Sequence, residues 1–273
     1  MNAEPDRANT NGAVHNPNPA RALVVDGIDV YLSGVQILSQ VTFDVAVGEV
    51  FGIVGPNGAG KTTILNVIGG IVRPTAGAIR YGKVDLLKVP PHRMRDHGIG
   101  RSLQSTHYFR DLTVLQLLGL GQLPNSIPGA LGFSGHRLSL LHRRPGQARH
   151  RSMEVLEQLG LGQYAERPLA ELSTAVQKLV DISRAVVAGT ELLLLDEPTS
   201  GVSGHERHTI ADALGRLREL GRTIVLIDHD PGFVTGICDR LMAMNFGQVL
   251  HVGKPDEVMS NETVRKSYLG EGS

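Results

Sequence analysis

At 273 residues with 41% apolar side chains, the chain has the material to bury a sizeable core, which excludes wholesale disorder. Lysine plus arginine equals aspartate plus glutamate at 27 each, so no global basic field argues for nucleic acid as a partner. No stretch approaches the roughly 18 apolar residues of a membrane-spanning helix, and the one cysteine, Cys238, leaves no internal disulfide, as fits a reducing compartment.

Residues 1–20 are rich in Asn, Pro, Ala and Gly and lack an apolar signal-peptide segment, so they are expected to be a flexible tail. The chain is then expected in the cytoplasm unless a partner holds it at a membrane. Leu23 to Val25 opens the ordered part, and Val41, Phe43 and Val45 alternate with polar residues as in a half-buried strand. Val50 to Val54 is an apolar strand that runs into a glycine-rich turn. Thr62 to Ile71 then reads as a helix, ended by Arg73-Pro74. Ala78 to Tyr81 and Ile99 to Leu103 are short strands.

From Ser105 to about His150 the pattern loosens. Leu112, Val114, Leu115, Leu117 and Leu118 predict a helix, a Gly/Pro-rich stretch follows from Gly119 to Gly135, and Met153, Leu156 and Leu159 return to helical spacing. This is expected to be a helical subdomain, residues 105–188, inserted into one domain of residues 21–270. Arg137, Arg143, Arg144, Arg149 and Arg151 read as a solvated basic face, with contact to anionic lipid headgroups or a protein as the alternative. The rhythm resumes with a helix over Ser173 to Val187, a buried strand Leu192 to Leu195, a helix carrying Ile210, Leu214 and Leu217, and a strand Thr223 to Ile227. Leu241 to Met244 and Gln248 to Val252 flank Asn245-Phe246-Gly247 as a hairpin. Strands alternating with helices predict an α/β fold whose mostly parallel sheet is covered on both faces. Cys238 reads as a small buried apolar residue.

Two segments carry chemistry. Gly55-Pro56-Asn57-Gly58-Ala59-Gly60-Lys61-Thr62, with Thr63 behind it, follows a strand and opens a helix, the context a phosphate-binding P-loop requires. Glycines let the backbone close around phosphates, the freed N–H groups and helix start attract negative charge, Lys61 adds a cation, and the Thr62 hydroxyl is a ligand for Mg²⁺. Leu192-Leu193-Leu194-Leu195-Asp196-Glu197-Pro198 delivers two carboxylates to the carboxyl end of a central strand, where open α/β sheets bind ligands. Asp196 suits the Mg²⁺ shell, and Glu197 suits polarising a water for attack on a γ-phosphate. Gln104 and His229 end two further strands. Glutamine can sense Mg²⁺ and the attacking water, and His229 can bond the γ-phosphate and hold Glu197.

The order P-loop, Gln104, Leu172-Ser173, Asp196-Glu197, His229 resembles the ATP-binding cassette of ABC proteins across Leu23 to Gly270. It is most similar to the ATPase subunits of branched-chain amino acid uptake transporters. The similar stretches are Pro90-Pro91-His92-Arg93, Gly98-Ile99-Gly100-Arg101-Ser102-Leu103-Gln104, Cys238-Asp239-Arg240 and Tyr268-Leu269-Gly270. The resemblance implies a P-loop NTPase fold with an antiparallel β part beside the parallel core and a helical insertion that meets membrane subunits. It implies hydrolysis of ATP with Mg²⁺ in a sandwich dimer with a second ATPase subunit, identical or not, where Ser173 reaches the partner's ATP. It also implies integral membrane permease subunits, a solute-binding protein in the same system, and a place on the cytoplasmic face of the membrane.

Three departures stand out. The family signature usually reads Leu-Ser-Gly-Gly-Gln, and here it is Leu172-Ser173-Thr174-Ala175-Val176, so Thr174 and the Ala175 methyl are expected to limit the approach to a partner's γ-phosphate. Ser203 stands where the loop after Asp196-Glu197 usually ends in aspartate. The residue expected to stack on adenine is Tyr31, or Leu32 by spacing. Two other readings compete with the transport ATPase: a soluble ABC ATPase acting on ribosomes or DNA, and an ATP-gated module with little turnover.

Overall fold

The computed structural model describes residues 21–102, 111–123 and 145–269. The N-terminal tail, Gln104, most of the Gly/Pro-rich stretch, Arg137, Arg143, Arg144 and Gly270 therefore lie outside the described residues.

Strand β1 (Arg21–Leu32) turns at Ser33-Gly34 into β2 (Val35–Ala46). β3 (Val50–Val54) leads through the P-loop into helix α1 (Lys61–Ile68), and β4 (Ala76–Tyr81) and β5 (Val84–Asp85) follow. After β6 (Ile99–Arg101) come α2 (Val114–Gly121), α3 (Pro145–Gln158) and α4 (Thr174–Val187). The chain continues with β7 (Leu192–Asp196), α5 (Gly204–Glu219), β8 (Thr223–Ile227), α6 (Pro231–Ile237), β9 (Arg240–Asn245), β10 (Gln248–Gly253), α7 (Pro255–Ser260) and α8 (Glu262–Leu269).

Two sheets result. One is antiparallel in the order β2-β1-β4-β5; the other runs β10-β9-β3-β8-β7-β6, parallel except for β10 at its edge. The central strands explain why their sequences read as unbroken apolar runs. Leu193 and Leu195 of β7 face a core shared with α2 to α8, while Leu192 and Leu194 face a second core shared with α1 and the antiparallel sheet. β8 divides in the same way, Ile224 and Leu226 against Val225 and Ile227. A strand buried on both faces has no polar side to show, which is why period-two alternation is missing.

Several boundaries differ from the expectations. α1 stops at Ile68 and not at Ile71, because Gly69 caps it and Gly70 takes φ 73° beneath Met94, a left-handed conformation that ends a helix. α2 begins at Val114, where Thr113 and Gln116 form a capping box. Within α2, a Cβ added at Gly121 would stand 2.8 Å from the Arg184 carbonyl oxygen, so the glycine permits α2 and α4 to pack closely. The short helices α6, α7 and α8 carried too little periodicity to be foreseen.

The similar stretches turn out to fasten elements together. Asp239 accepts from the Val50 N–H at 2.9 Å, and Arg240 donates to Glu49 at 2.7 Å while lying over the Phe51 ring. Arg95, just after Pro90-Pro91-His92-Arg93, donates to the Gly121 carbonyl at 2.8 Å. Cys238 is buried against Gly52, and burial pushes its thiol pKa up, so it is the small apolar residue expected. Of the basic cluster, Arg149 is exposed and bonds Glu166 at 2.7 Å.

Candidate active site

The P-loop is shaped by contacts that only glycine satisfies at two positions. A Cβ at Gly55 would stand 2.2 Å from the Met244 carbonyl oxygen, and at Gly60, where φ is 96°, it would stand 2.7 Å from Leu38. Gly60 caps α1 without a side-chain bond, which leaves the first-turn N–H groups free of an internal acceptor. Those groups and the positive end of the helix form a cradle for an anion. Asn57, Gly58 and Thr62 are exposed, Pro56 and Thr63 are half-buried, and Ala59 is buried.

Lys61 is buried and donates to the Gly55 and Pro56 carbonyls at 2.7 and 2.9 Å. Burial lowers its pKa, while the nearby Glu197 and Asp196 carboxylates pull the other way. At the far end of the chain, the Tyr268 phenol is pushed up in pKa by burial and is opposed by a bond from the Gly55 N–H. Tyr268 thus returns α8 to the start of the P-loop.

The two carboxylates arrive on β7. Asp196 is buried and lies 3.4 Å from Arg101 on β6, whose other amino group bonds Asn66 on α1. Glu197 takes a left-handed backbone, φ 50°, unusual for a residue with a Cβ. Two contacts hold it there: its N–H donates to the Ile227 carbonyl at 2.8 Å, and its own carbonyl accepts from Lys178 Nζ at 2.8 Å. Directly after β8 comes Asp228, whose buried carboxylate accepts from the His229 and Asp230 N–H groups at 2.8 and 3.1 Å and from Thr199 N and Oγ1 at 3.0 and 2.7 Å. One carboxylate therefore fixes both the loop carrying His229, whose side chain is exposed, and the turn after Glu197.

Ser173 sits at the N-cap of α4, exposed beside Thr174. Bonds from the Ser203 hydroxyl first and the Ser173 hydroxyl second hold the Glu206 carboxyl below the usual carboxylate range. Ser203 also caps α5 through Glu206, so the residue found in place of aspartate has a structural use. Ala175 and Val176 are buried members of the helical core. This corrects the expectation for Ala175: its methyl packs inward, and only Thr174 of the altered pair is exposed.

The structure thus brings Lys61, Thr62, Asp196, Glu197 and His229 to the carboxyl ends of the adjacent strands β3, β8 and β7. Gln104 lies outside the described residues. Tyr31 and Leu32 are both exposed at the end of β1, which does not choose between them. Sequence reasoning missed Lys178, Arg101 and Asp228. For Asp228 a signal was present, an acidic residue directly after five buried strand positions. Lys178→Met is expected to lower the hydrolytic rate roughly tenfold, the range for losing a bond to a charged donor, with ATP affinity unchanged and Lys178→Arg restoring the rate. Steady-state kinetics beside calorimetric binding checks this.

Residues 38–200 match the family described as ABC transporter. The chain is 33% identical over 251 residues to the high-affinity branched-chain amino acid transport ATP-binding protein LivG of Salmonella typhimurium, covering 91% of this chain and 98% of that protein. It is 30% identical over 237 residues to the lipopolysaccharide export system ATP-binding protein LptB of Haemophilus influenzae, covering 86% and 92%. The crystal structure of the ADP conformation of an ATP-binding cassette of an ABC transporter matches with a TM-score of 0.80 at 28% identity, over 92% of this chain and 99% of that one. With a phosphate cradle and paired carboxylates in place, the chain belongs to the ABC transporter family as an ATP-binding cassette, an ATP hydrolase.

Proposed function

We propose that this cassette powers an importer of branched-chain amino acids or similar small polar solutes, bound to permease subunits at the cytoplasmic face of the membrane. The kinship to LivG supports the solute class, and the likeness to LptB shows that related cassettes serve other cargo. Among the described residues no helix is long and apolar enough to cross a membrane, so the path for solute belongs to partners. A solute-binding protein completes the system. The soluble-cassette alternative is not favoured by these relatives.

The observation that carries the reading is Lys61, Asp196, Glu197 and His229 converging at the ends of three neighbouring strands. The residues of the P-loop from Gly55 to Thr63 hold the phosphates, and Lys61 exchanges its bonds to the loop carbonyls for bonds to phosphate oxygens. Glu197 accepts the proton of the attacking water, with His229 and Gln104 positioning the γ-phosphate and that water. No group of three His, Cys, Asp or Glu among the described residues could hold a metal unaided. One buried carboxylate and one hydroxyl, Asp196 and Thr62, nevertheless suit Mg²⁺, whose other oxygen ligands would come from phosphate and water. When bound, Mg²⁺ would neutralise charge developing on the phosphates. Co-expression with the permease subunits tests the function: this chain is expected to purify with them from detergent, and its absence from that complex would contradict the reading.

The signature supports a dimer with a different second cassette. Ser173 and Thr174 form the exposed edge offered to a partner's ATP, and the Thr174 side chain stands where glycine usually allows close approach. Thr174→Gly is expected to raise turnover at the site built with the partner's P-loop several-fold. Ala175→Gly is expected only to destabilise α4, by about 0.5–1 kcal/mol. ATPase rates and thermal melts of the two variants decide between them.

A further inference from the structure

Phe246 forms the tip of the β9–β10 hairpin and is 87% exposed. Its φ is 44° and that of Gly247 is 76°. Positive φ at both central residues marks a type I′ turn, whose first position favours asparagine, aspartate or glycine. A bulky aromatic there is strained. Neither core packing nor turn chemistry accounts for it.

Its neighbours suggest what does. The Gly247 N–H donates to the Ala59 carbonyl at 3.1 Å, and the Ser39 N–H donates to the Gly247 carbonyl at 2.9 Å. A Cβ added to Gly60 would lie 3.5 Å from Gly247 Cα. The hairpin tip is therefore clamped between the P-loop and β2. Pairing of Tyr31 with Gln36 and of Leu32 with Val35 brings the turn end of the β1–β2 hairpin to within a few residues of that clamp.

We propose that Phe246 offers its ring to the purine base of the nucleotide whose phosphates rest on the P-loop. Every base has a flat π-face, so such a stack needs an exposed ring and no hydrogen-bond partner. A strained turn that is held rigid on the P-loop keeps that ring in place before the nucleotide arrives. The assignment rests on the P-loop reading and adds a base contact to it.

The test uses the full chain, with ATP and inorganic tripolyphosphate as probes in calorimetry. Phe246→Asn, the residue the turn prefers, is expected to fold at least as stably, to bind ATP roughly tenfold more weakly, and to bind tripolyphosphate as before. Phe246→Tyr is expected to keep ATP affinity. The sequence contains no tryptophan, so Phe246→Trp supplies a sole indole, expected to be quenched by ATP and not by tripolyphosphate. Lys61→Ala is expected to lose affinity for both probes, which reports on the P-loop separately. Unchanged ATP affinity in Phe246→Asn, or an indole indifferent to ATP, would overturn the base contact and leave the P-loop standing.

Discussion

Glu197→Gln is expected to lower the ATPase rate by roughly 10²–10⁴-fold, the usual contribution of a general base, with ATP affinity retained. The amide keeps the size of the side chain but cannot take a proton from water. The backbone that aims it is fixed independently, by the Ile227 carbonyl and by Lys178, and glutamine meets the same left-handed φ of 50° as glutamate does. The substitution therefore changes chemistry without moving the loop. Phosphate release at saturating ATP, set beside calorimetric binding, separates the two quantities. Wild-type turnover in the purified variant would remove Glu197 from this role.

Lys61→Ala is expected to act on the other quantity, weakening ATP binding by roughly 10–100-fold, as for one or two charge-assisted bonds. Two losses combine. The cation facing the phosphates disappears, and so do its bonds to the Gly55 and Pro56 carbonyls that hold the loop in shape before ATP arrives. The buried ammonium offsets the charge of Asp196 and Glu197 beside it, so its removal leaves those carboxylates opposing the phosphates. Calorimetry with ATP checks this, and an unchanged affinity would contradict the P-loop assignment.

Sequence patterns made the parallel core legible because its signals are local. Val50 to Val54 and Leu192 to Asp196 are short apolar runs that end in polar chemistry, and both strands have the bounds expected to within a residue. The antiparallel sheet was harder to read. β1 and β2 pair through several register shifts, and such irregular pairing breaks the alternation by which half-buried strands are recognised. The residues that support the site were hidden for another reason. Lys178 meets Glu197 across 19 positions and Arg101 meets Asp196 across 95, so only the folded chain makes them neighbours. The same holds for Ala175: its place in the signature suggested a surface role, whereas helical periodicity turns it inward.

Hydrolysis by this cassette is proposed to be coupled to a membrane permease. Its most direct measurement is the ATPase rate of the purified chain, taken alone and then assembled with the permease subunits and the second cassette in lipid vesicles. A low rate is expected for the chain alone, with a marked rise on assembly that is lost when Glu197→Gln replaces the wild type. A brisk rate from the chain alone, unchanged by permease and second cassette, would contradict it.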